Sequence, residues 1–258
     1  MSEDSSKPAE GAYAVVTWSP ARGIIAAIVA LLVGQILAGL LVLGILTAFG
    51  MSSSASEAWS ETTTGQFVLV VIAEALTLLI LWQVLKKRRP SWASLGFLRN
   101  PQLGDVGRAI VACLVYFGML IVAASLAKIV FGVDTGQEQD IGFKQVVTSS
   151  EYIMAFVSLV ILPPIVEEIL FRGVIFGGLR KRVSFTKAML VTSLLFALPH
   201  ALQGSGGSLL LIGAIDTFIL SMALCYLREK TGNLWSSIVL HMIKNGVAYI
   251  ALFVLATK

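Results

Sequence analysis

The chain has 258 residues, of which 57% are hydrophobic and 13% are charged, and its formal net charge is +4. A soluble domain would carry about 25% charged residues, so this composition excludes an ordinary soluble fold. The basic residues lie at the ends of apolar stretches and form no continuous face. This distribution argues against nucleic-acid binding and indicates contact with a lipid bilayer.

Seven apolar stretches are long enough, or nearly so, to cross a hydrocarbon core of about 30 Å. They cover residues 23–49, 66–85, 108–131, 152–178, 186–203, 209–227 and 234–255. The fourth contains Pro163-Pro164, which predicts a kink or break in its helix. A split or re-entrant eighth element is considered near the short fifth and sixth stretches. The sequence therefore predicts an all-α, polytopic transmembrane helix bundle of about 7–8 spans.

The chain divides into three predicted parts. Residues 1–21 are polar and are expected to form a flexible N-terminal tail. Residues 22–150 hold the N-terminal transmembrane helices and loops, and residues 151–255 hold the helices with the candidate catalytic residues. Cys113 and Cys225 lie within apolar stretches, so we expect two core side chains and no structural disulfide.

The basic residues predict how the bundle is oriented. The connection after the first stretch carries Glu57 and Glu61 and no base, whereas the connection after the second is rich in Lys and Arg. The positive-inside rule places the second connection and two later basic clusters in the cytoplasm, together with the N-terminus. These basic residues are Lys86, Lys87, Arg88, Arg89, Arg99, Arg108, Arg180, Lys181, Arg182, Lys187, Arg228 and Lys230. We expect a multi-pass protein of the cell (plasma) membrane, and a short chain without an organelle-targeting peptide is typical of bacteria.

Ionisable residues inside membrane spans are costly, and they are functional candidates by default. Glu168 and Arg172 are four residues apart on the fourth predicted helix, the spacing of an ion pair. Glu167 points about 100° away and is left free to act as a general base. A purely structural charge cluster is the alternative. Glu74 and Asp216 also lie within spans; Glu74 is interpreted as an interhelical hydrogen-bond partner, and Asp216 as a partner of Lys244, a cavity residue or the end of a broken helix.

Both histidines of the chain, His200 and His241, fall within predicted spans, and Asn245 follows His241 by one helical turn. In one interpretation Glu167 and His200 activate a water molecule while His241 and Asn245 stabilise the oxyanion. In the other, Glu167, His200 and His241 bind zinc or another divalent metal that generates the hydroxide. The metal-free mechanism is favoured, because Asn is a poor zinc ligand and no His-Glu-x-x-His motif is present.

Three motifs in the C-terminal half resemble the signature motifs of one protease family. They are Glu167-Glu168-x-x-x-Arg172, Phe196-x-x-x-His200 and His241-x-x-x-Asn245, within residues 151–250. These motifs resemble those of the CAAX protease and bacteriocin-processing (CPBP, Abi) family, which includes the type II CAAX prenyl endopeptidase. The resemblance implies an intramembrane endopeptidase with a polar cavity open toward the cytosol. It also implies catalytic roles for the four residues above, supporting roles for Glu168 and Arg172, and metal dependence in many relatives.

Three functions remain in competition at this point. The first is hydrolysis of a peptide bond in a membrane-associated protein or peptide, without a cofactor or with a divalent metal. The second is a non-catalytic membrane scaffold or bacteriocin-immunity partner with the same fold. The third, a transporter with Glu74, Asp216 and Glu167 as a relay, has little support because the sequence shows no internal repeat. The sequence predicts neither the substrate nor the oligomeric state.

Overall fold

The computed structural model describes residues 13, 15–137, 139, 141–143, 146–204 and 209–255. Apart from an isolated bridge between Gln139 and Gly204, the regular structure in these residues is helical. The helices are α1 (Pro20–Ala48), α2 (Ser53–Ser60), α3 (Thr63–Leu85), α4 (Trp92–Leu95), α5 (Leu103–Phe131), α6 (Ser149–Arg180), α7 (Phe185–His200), α8 (Leu211–Thr231) and α9 (Trp235–Leu255). A short 3₁₀ turn, Lys86–Arg88, follows α3.

Six of these helices are long and apolar enough to cross a membrane, namely α1, α3, α5, α6, α8 and α9. This confirms the predicted polytopic helical bundle. The fifth predicted stretch, 186–203, forms α7, which has 16 residues and ends at His200. At 1.5 Å per residue α7 is about 24 Å long, shorter than the hydrocarbon core. The described part of the chain therefore contains six spans and one short apolar helix, and part of the connection considered for an eighth element, residues 205–208, lies outside it.

The bundle has two chemically different ends. The basic end carries the N-termini of α5, α7 and α9 and the C-termini of α3, α6 and α8, so all the predicted basic clusters lie at this end. The opposite end carries α2, the connection between α5 and α6, and the connection between α7 and α8. This placement agrees with the alternation of spans that the sequence predicts.

The segment before α1 is partly packed into the bundle. The side chains of Tyr13, Val16 and Trp18 are buried, and Trp18 Nε1 donates a hydrogen bond of 3.0 Å to the Val174 carbonyl of α6. The prediction of a flexible tail over 1–21 is therefore wrong for the described residues of this segment, because their aromatic side chains have apolar surface to bury. Residues 1–12 and 14 lie outside the described part of the chain.

Helix α6 continues through Pro163-Pro164 without a break. A wider π-helical turn, Val157–Ile161, precedes the prolines, and a second one, Ile169–Phe176, follows them. These turns change the hydrogen-bond pattern where proline removes a backbone donor. The two prolines therefore alter the local geometry of α6 instead of ending the helix.

Candidate active site

A cavity of about 140 Å³ lies between α6, α7, α8 and α9. Glu167, His200, His241 and Asn245 all line it. The other lining residues are Gln139, Ile141, Leu159, Phe196, Thr217, Leu220, Lys244, Ala248, Tyr249 and Leu252. The structure thus brings together, from three helices, the four residues that the sequence analysis selected as catalytic candidates.

A buried polar network supports one wall of this cavity. The Glu168 Oε1 atom accepts a hydrogen bond of 2.8 Å from Arg172 Nη1, as the i,i+4 spacing predicts. The same oxygen lies 3.1 Å from His241 Nδ1. All three side chains are buried, those of Glu168 and Arg172 completely. Glu168 therefore links the ion pair of α6 to the histidine of α9 and does not itself line the cavity.

Glu167 differs from its neighbour because its carboxylate reaches the cavity. Its side chain is 23% exposed, and its Oε2 atom lies 3.6 Å from His241 Nε2. His241 consequently stands between two carboxylates, with one ring nitrogen toward Glu168 and the other toward Glu167. When Nδ1 donates to Glu168, a neutral imidazole has its lone pair on Nε2, and only the protonated ring donates from Nε2.

His200 is fixed by its own helix. Its Nδ1 atom lies 2.9 Å from the Phe196 carbonyl oxygen, which can only accept, so Nδ1 carries the proton of this hydrogen bond. The Nε2 atom of the neutral ring is then an acceptor. The ring of Phe196 lies between the two histidines, with centroids 5.0 Å from His200 and 5.8 Å from His241. Phe196 also stacks under the Arg172 guanidinium at 4.4 Å, which ties α7 to the buried network.

Asn245 is oriented by the proline pair of α6. Its Nδ2 atom donates a hydrogen bond of 2.9 Å to the Leu159 carbonyl oxygen. The residues four and five positions after Leu159 are Pro163 and Pro164, which have no backbone N–H, so this carbonyl is free to accept from a side chain. The second Nδ2 hydrogen of Asn245 remains for a group in the cavity. The proline pair therefore contributes to the site in a way that the sequence analysis missed.

Four further ionisable side chains lie near the candidate catalytic residues or contact a residue that does. Lys244 lines the cavity and its Nζ lies 3.2 Å from Asp216 Oδ2, which selects the first of the interpretations left open for Asp216. The Tyr116 hydroxyl donates to the other oxygen of Asp216. Glu74 of α3 interacts electrostatically with Glu167, and its buried Oε2 atom has no hydrogen-bond partner among the described residues. The interhelical hydrogen bond suggested for Glu74 is therefore not seen at this oxygen.

The geometry does not arrange these residues as a metal site. Within the described residues, no group of three or more His, Cys, Asp or Glu side chains is placed to hold a metal ion. Glu167 Oε2 lies 3.6 Å from His241 Nε2, and the Nδ1 atoms of His241 and His200 are hydrogen-bonded to Glu168 and Phe196. These hydrogen bonds leave the Nε2 lone pairs of both neutral rings available, as in histidines that bind a metal, so they do not exclude a divalent ion. We derive no catalytic step through a metal.

The cavity lies toward the end of the bundle opposite the basic clusters. Gln139 and Ile141, from the connection between α5 and α6, and Leu252, near the end of α9, line it. Farther toward the basic end, side chains such as Arg172 and Leu224 are completely buried. The sequence predicts cytosolic basic clusters, and the family resemblance implies a cavity that opens toward the cytosol. These expectations conflict in the structure, because the clusters and the cavity lie at different ends.

Comparison with known proteins identifies this helical region. Residues 149–247 match the family model described as "Type II CAAX prenyl endopeptidase Rce1-like", which runs from the start of α6 into α9. The matched region contains all four cavity candidates and the Glu168–Arg172 pair. This region is similar to the type II CAAX prenyl endopeptidase family. The matched residues agree closely with the 151–250 segment that carries the sequence motifs.

The chain is also similar to a bacterial protein that is named as a membrane peptidase. The chain is 30% identical over 152 residues to a Bacillus subtilis (strain 168) protein named "Putative membrane peptidase YdiL". The alignment covers 57% of this chain and 58% of that protein, so the chain matches little more than half of its relative's length. No solved structure gives a significant match to this chain.

Proposed function

We propose that this protein is an intramembrane endopeptidase that hydrolyses a peptide bond in a membrane-associated protein or peptide. The observation that carries the proposal is the convergence of Glu167, His200, His241 and Asn245 on one cavity within the helical bundle. The similarity of residues 149–247 to the type II CAAX prenyl endopeptidase family and the peptidase name of the Bacillus relative support the same reaction class.

In the proposed mechanism Glu167 is the general base. A water molecule in the cavity would donate one hydrogen bond to the Glu167 carboxylate and the other to His200 Nε2, which is an acceptor in the neutral ring. Attack on the carbonyl carbon transfers a proton from the water to Glu167. The resulting carboxylic acid then protonates the leaving nitrogen as the C–N bond breaks, which restores the carboxylate.

The oxyanion is assigned to the two remaining residues. Asn245 has a second Nδ2 hydrogen that is not used by the Leu159 carbonyl. His241 donates from Nε2 when its ring is protonated, with Glu168 accepting from Nδ1. These donors are held by helix packing before substrate binds, which is the arrangement that lowers the barrier most for developing charge. Glu168 and Arg172 are positioning residues in this scheme.

Metal dependence is the alternative within the same reaction class. Two measurements distinguish the metal-free mechanism from the metal-dependent one. They are metal analysis of the purified protein and a proteolysis assay with and without a chelator. The metal-free mechanism predicts full turnover after chelation and no bound metal in stoichiometric amount. Loss of turnover that zinc restores would show that the reaction needs a divalent ion, with Glu167, His200 and His241 as its candidate ligands.

We also propose that the protein lies in the plasma membrane of a bacterium with its N-terminus in the cytoplasm. The basic clusters at one end of the bundle and the bacterial relative support this orientation and origin. With that orientation the cavity opens toward the extracytoplasmic half of the membrane. The scissile bond of the substrate would then reach Glu167 from that side.

A non-catalytic scaffold is the competing function, since the buried Glu168–Arg172–His241 network could serve stability alone. The discriminating experiment uses the His200→Ala/His241→Ala double variant in cells that lack the wild-type gene. If the protein is an endopeptidase, the variant should accumulate in the membrane but fail to restore cleavage of the cellular substrate. A variant that restores the full phenotype would favour the scaffold.

A further inference from the structure

A second, larger groove lies outside the candidate active site. It has a volume of about 850 Å³ and is formed by α5 and α7, with α8 between them. Apolar side chains of all three helices supply most of its lining, and three of them are methionines. They include Val111, Val115 and Met119 of α5, Met189 of α7, and Met222 and Ala223 of α8.

The groove has the length of one lipid chain. On α5 its lining runs from Gly107 to Met119, which is about 18 Å at 1.5 Å per residue. This is a little more than half of a hydrocarbon core of about 30 Å, or one leaflet. Val111 and Val115 are 63% and 57% exposed, so the groove is open to the surrounding lipid along α5. Unbranched methionine side chains adapt to a flexible apolar guest.

Two basic side chains, Arg108 and Lys230, line the groove at the basic end of the bundle. The Arg108 side chain is 52% exposed and lies 3.4 Å from Asp105, a carboxylate that Arg99 already binds through two hydrogen bonds of 2.6 and 2.7 Å. Arg108 therefore retains most of its donors. Lys230 is exposed, and its Nζ lies 5.7 Å from the ring centroid of Tyr226.

We propose that this groove binds an anionic glycerophospholipid, with one acyl chain along α5 and α8 and the phosphate held by Arg108 and Lys230. Basic pockets between transmembrane helices select anionic headgroups, and the apolar channel below them fixes the chain. The position of Tyr226 beside Lys230 is that of an aromatic residue at the membrane interface. The site is separate from the candidate catalytic residues and does not depend on the proposed peptidase activity.

The test measures lipids that stay bound to the full chain. The protein is purified in a mild detergent, and native mass spectrometry counts bound phosphatidylglycerol and phosphatidylcholine with identical oleoyl chains. Three variants are compared: Arg108→Gln/Lys230→Gln removes the headgroup ligands, Ala223→Phe fills the apolar groove, and Lys86→Gln/Lys87→Gln removes two exposed charges elsewhere at the basic end. Thermal unfolding of each variant in lipid-free detergent confirms that it is folded.

The proposal predicts that the wild type retains phosphatidylglycerol in preference to phosphatidylcholine. The Arg108→Gln/Lys230→Gln variant should bind phosphatidylglycerol at least about tenfold more weakly, while the Lys86→Gln/Lys87→Gln control binds like the wild type. Ala223→Phe should reduce retention although all charges remain. Equal binding of the two lipids, equal loss in the control, or displacement of the lipid by inorganic phosphate alone would overturn the proposal.

Discussion

At the scale of single residues, Glu168 holds the most consequential position beside the cavity. Its carboxylate is completely buried and serves Arg172 and His241 at once. Removing one partner of a buried ion pair leaves the other charge without compensation, which costs about 3–5 kcal/mol. We expect Glu168→Gln to lower the free energy of unfolding by that amount, as measured by denaturant titration in detergent.

The double variant Glu168→Leu/Arg172→Met is the control for this interpretation. It removes both charges together, so it should be less destabilised than Glu168→Gln alone. If the single and double variants lose the same stability, uncompensated charge is not the reason for the loss.

Asn245 gives a second test at this scale. Asn245→Asp keeps the shape of the side chain but removes the Nδ2 donor to the Leu159 carbonyl and to the proposed oxyanion. We expect kcat to fall by about 10²–10³-fold, the usual cost of one oxyanion donor. Peptide cleavage kinetics measure this, and Asn100→Asp, at an exposed position, should leave kcat unchanged. Unchanged kcat in Asn245→Asp would remove Asn245 from the mechanism.

Contacts between residues one helical turn apart in this site could be predicted from the sequence, whereas contacts between different helices could not. The Glu168–Arg172 pair follows from the helical repeat alone and is confirmed. The contact of Glu168 with His241 joins residues 73 positions apart, so no pattern of neighbouring residues predicts it. The free Leu159 carbonyl could have been anticipated, because Pro163 and Pro164 cannot donate to it, but its partner depends on how α9 packs against α6.

At the scale of helices, α4 and α6 approach each other closely at Gly173. A Cβ atom added at Gly173 would lie 2.6 Å from the Leu95 carbonyl oxygen, so the backbone would have to move. We expect Gly173→Ala to lower the thermal unfolding temperature. Gly118 on α5 is the matched control, since a Cβ there has no neighbour within 4 Å among the described residues. Gly118→Ala should be neutral or slightly stabilising, by up to about 1 kcal/mol; equal effects at both positions would contradict the packing argument.

The helices themselves were predictable, but their ends were less so. Long apolar stretches fixed the number of major helices, because burying backbone in lipid requires closed hydrogen bonding within each span. The segment before α1 was predicted to be flexible because most of its residues are polar. Its Tyr13, Val16 and Trp18 side chains are nevertheless buried in the bundle. Composition averages over a segment, whereas packing depends on where individual aromatic side chains fall.

At the scale of the whole molecule, the separation of basic clusters from the cavity predicts the accessible face of the site. We expect a cysteine introduced as Ser53→Cys, on α2 at the cavity end, to react with a membrane-impermeant maleimide in intact cells. Lys87→Cys, at the basic end, should react only after the cells are permeabilised. Both positions are exposed, and the native Cys113 and Cys225 are buried and provide a low background.

The opposite labelling pattern would place the cavity on the cytosolic side and overturn the proposed orientation. The sequence could predict that the basic clusters share one side, because spans alternate in direction. It could not predict toward which end of the bundle the cavity lies. That depends on where α7 ends along the membrane normal and on which connection lines the cavity. His200 at the last position of a short helix brings the cavity toward the end opposite the basic clusters.

The central claim is that Glu167 performs chemistry in a peptidase, and its most direct test is peptide cleavage by the full chain reconstituted in liposomes. Glu167→Gln preserves the shape of the side chain and removes the base, and Glu57→Gln makes the same change at an exposed position. We expect the wild type and Glu57→Gln to cleave a membrane-anchored peptide at the same rate. Glu167→Gln should cleave it at least about 10²-fold more slowly, with unchanged thermal unfolding. Cleavage by Glu167→Gln at the wild-type rate would contradict it.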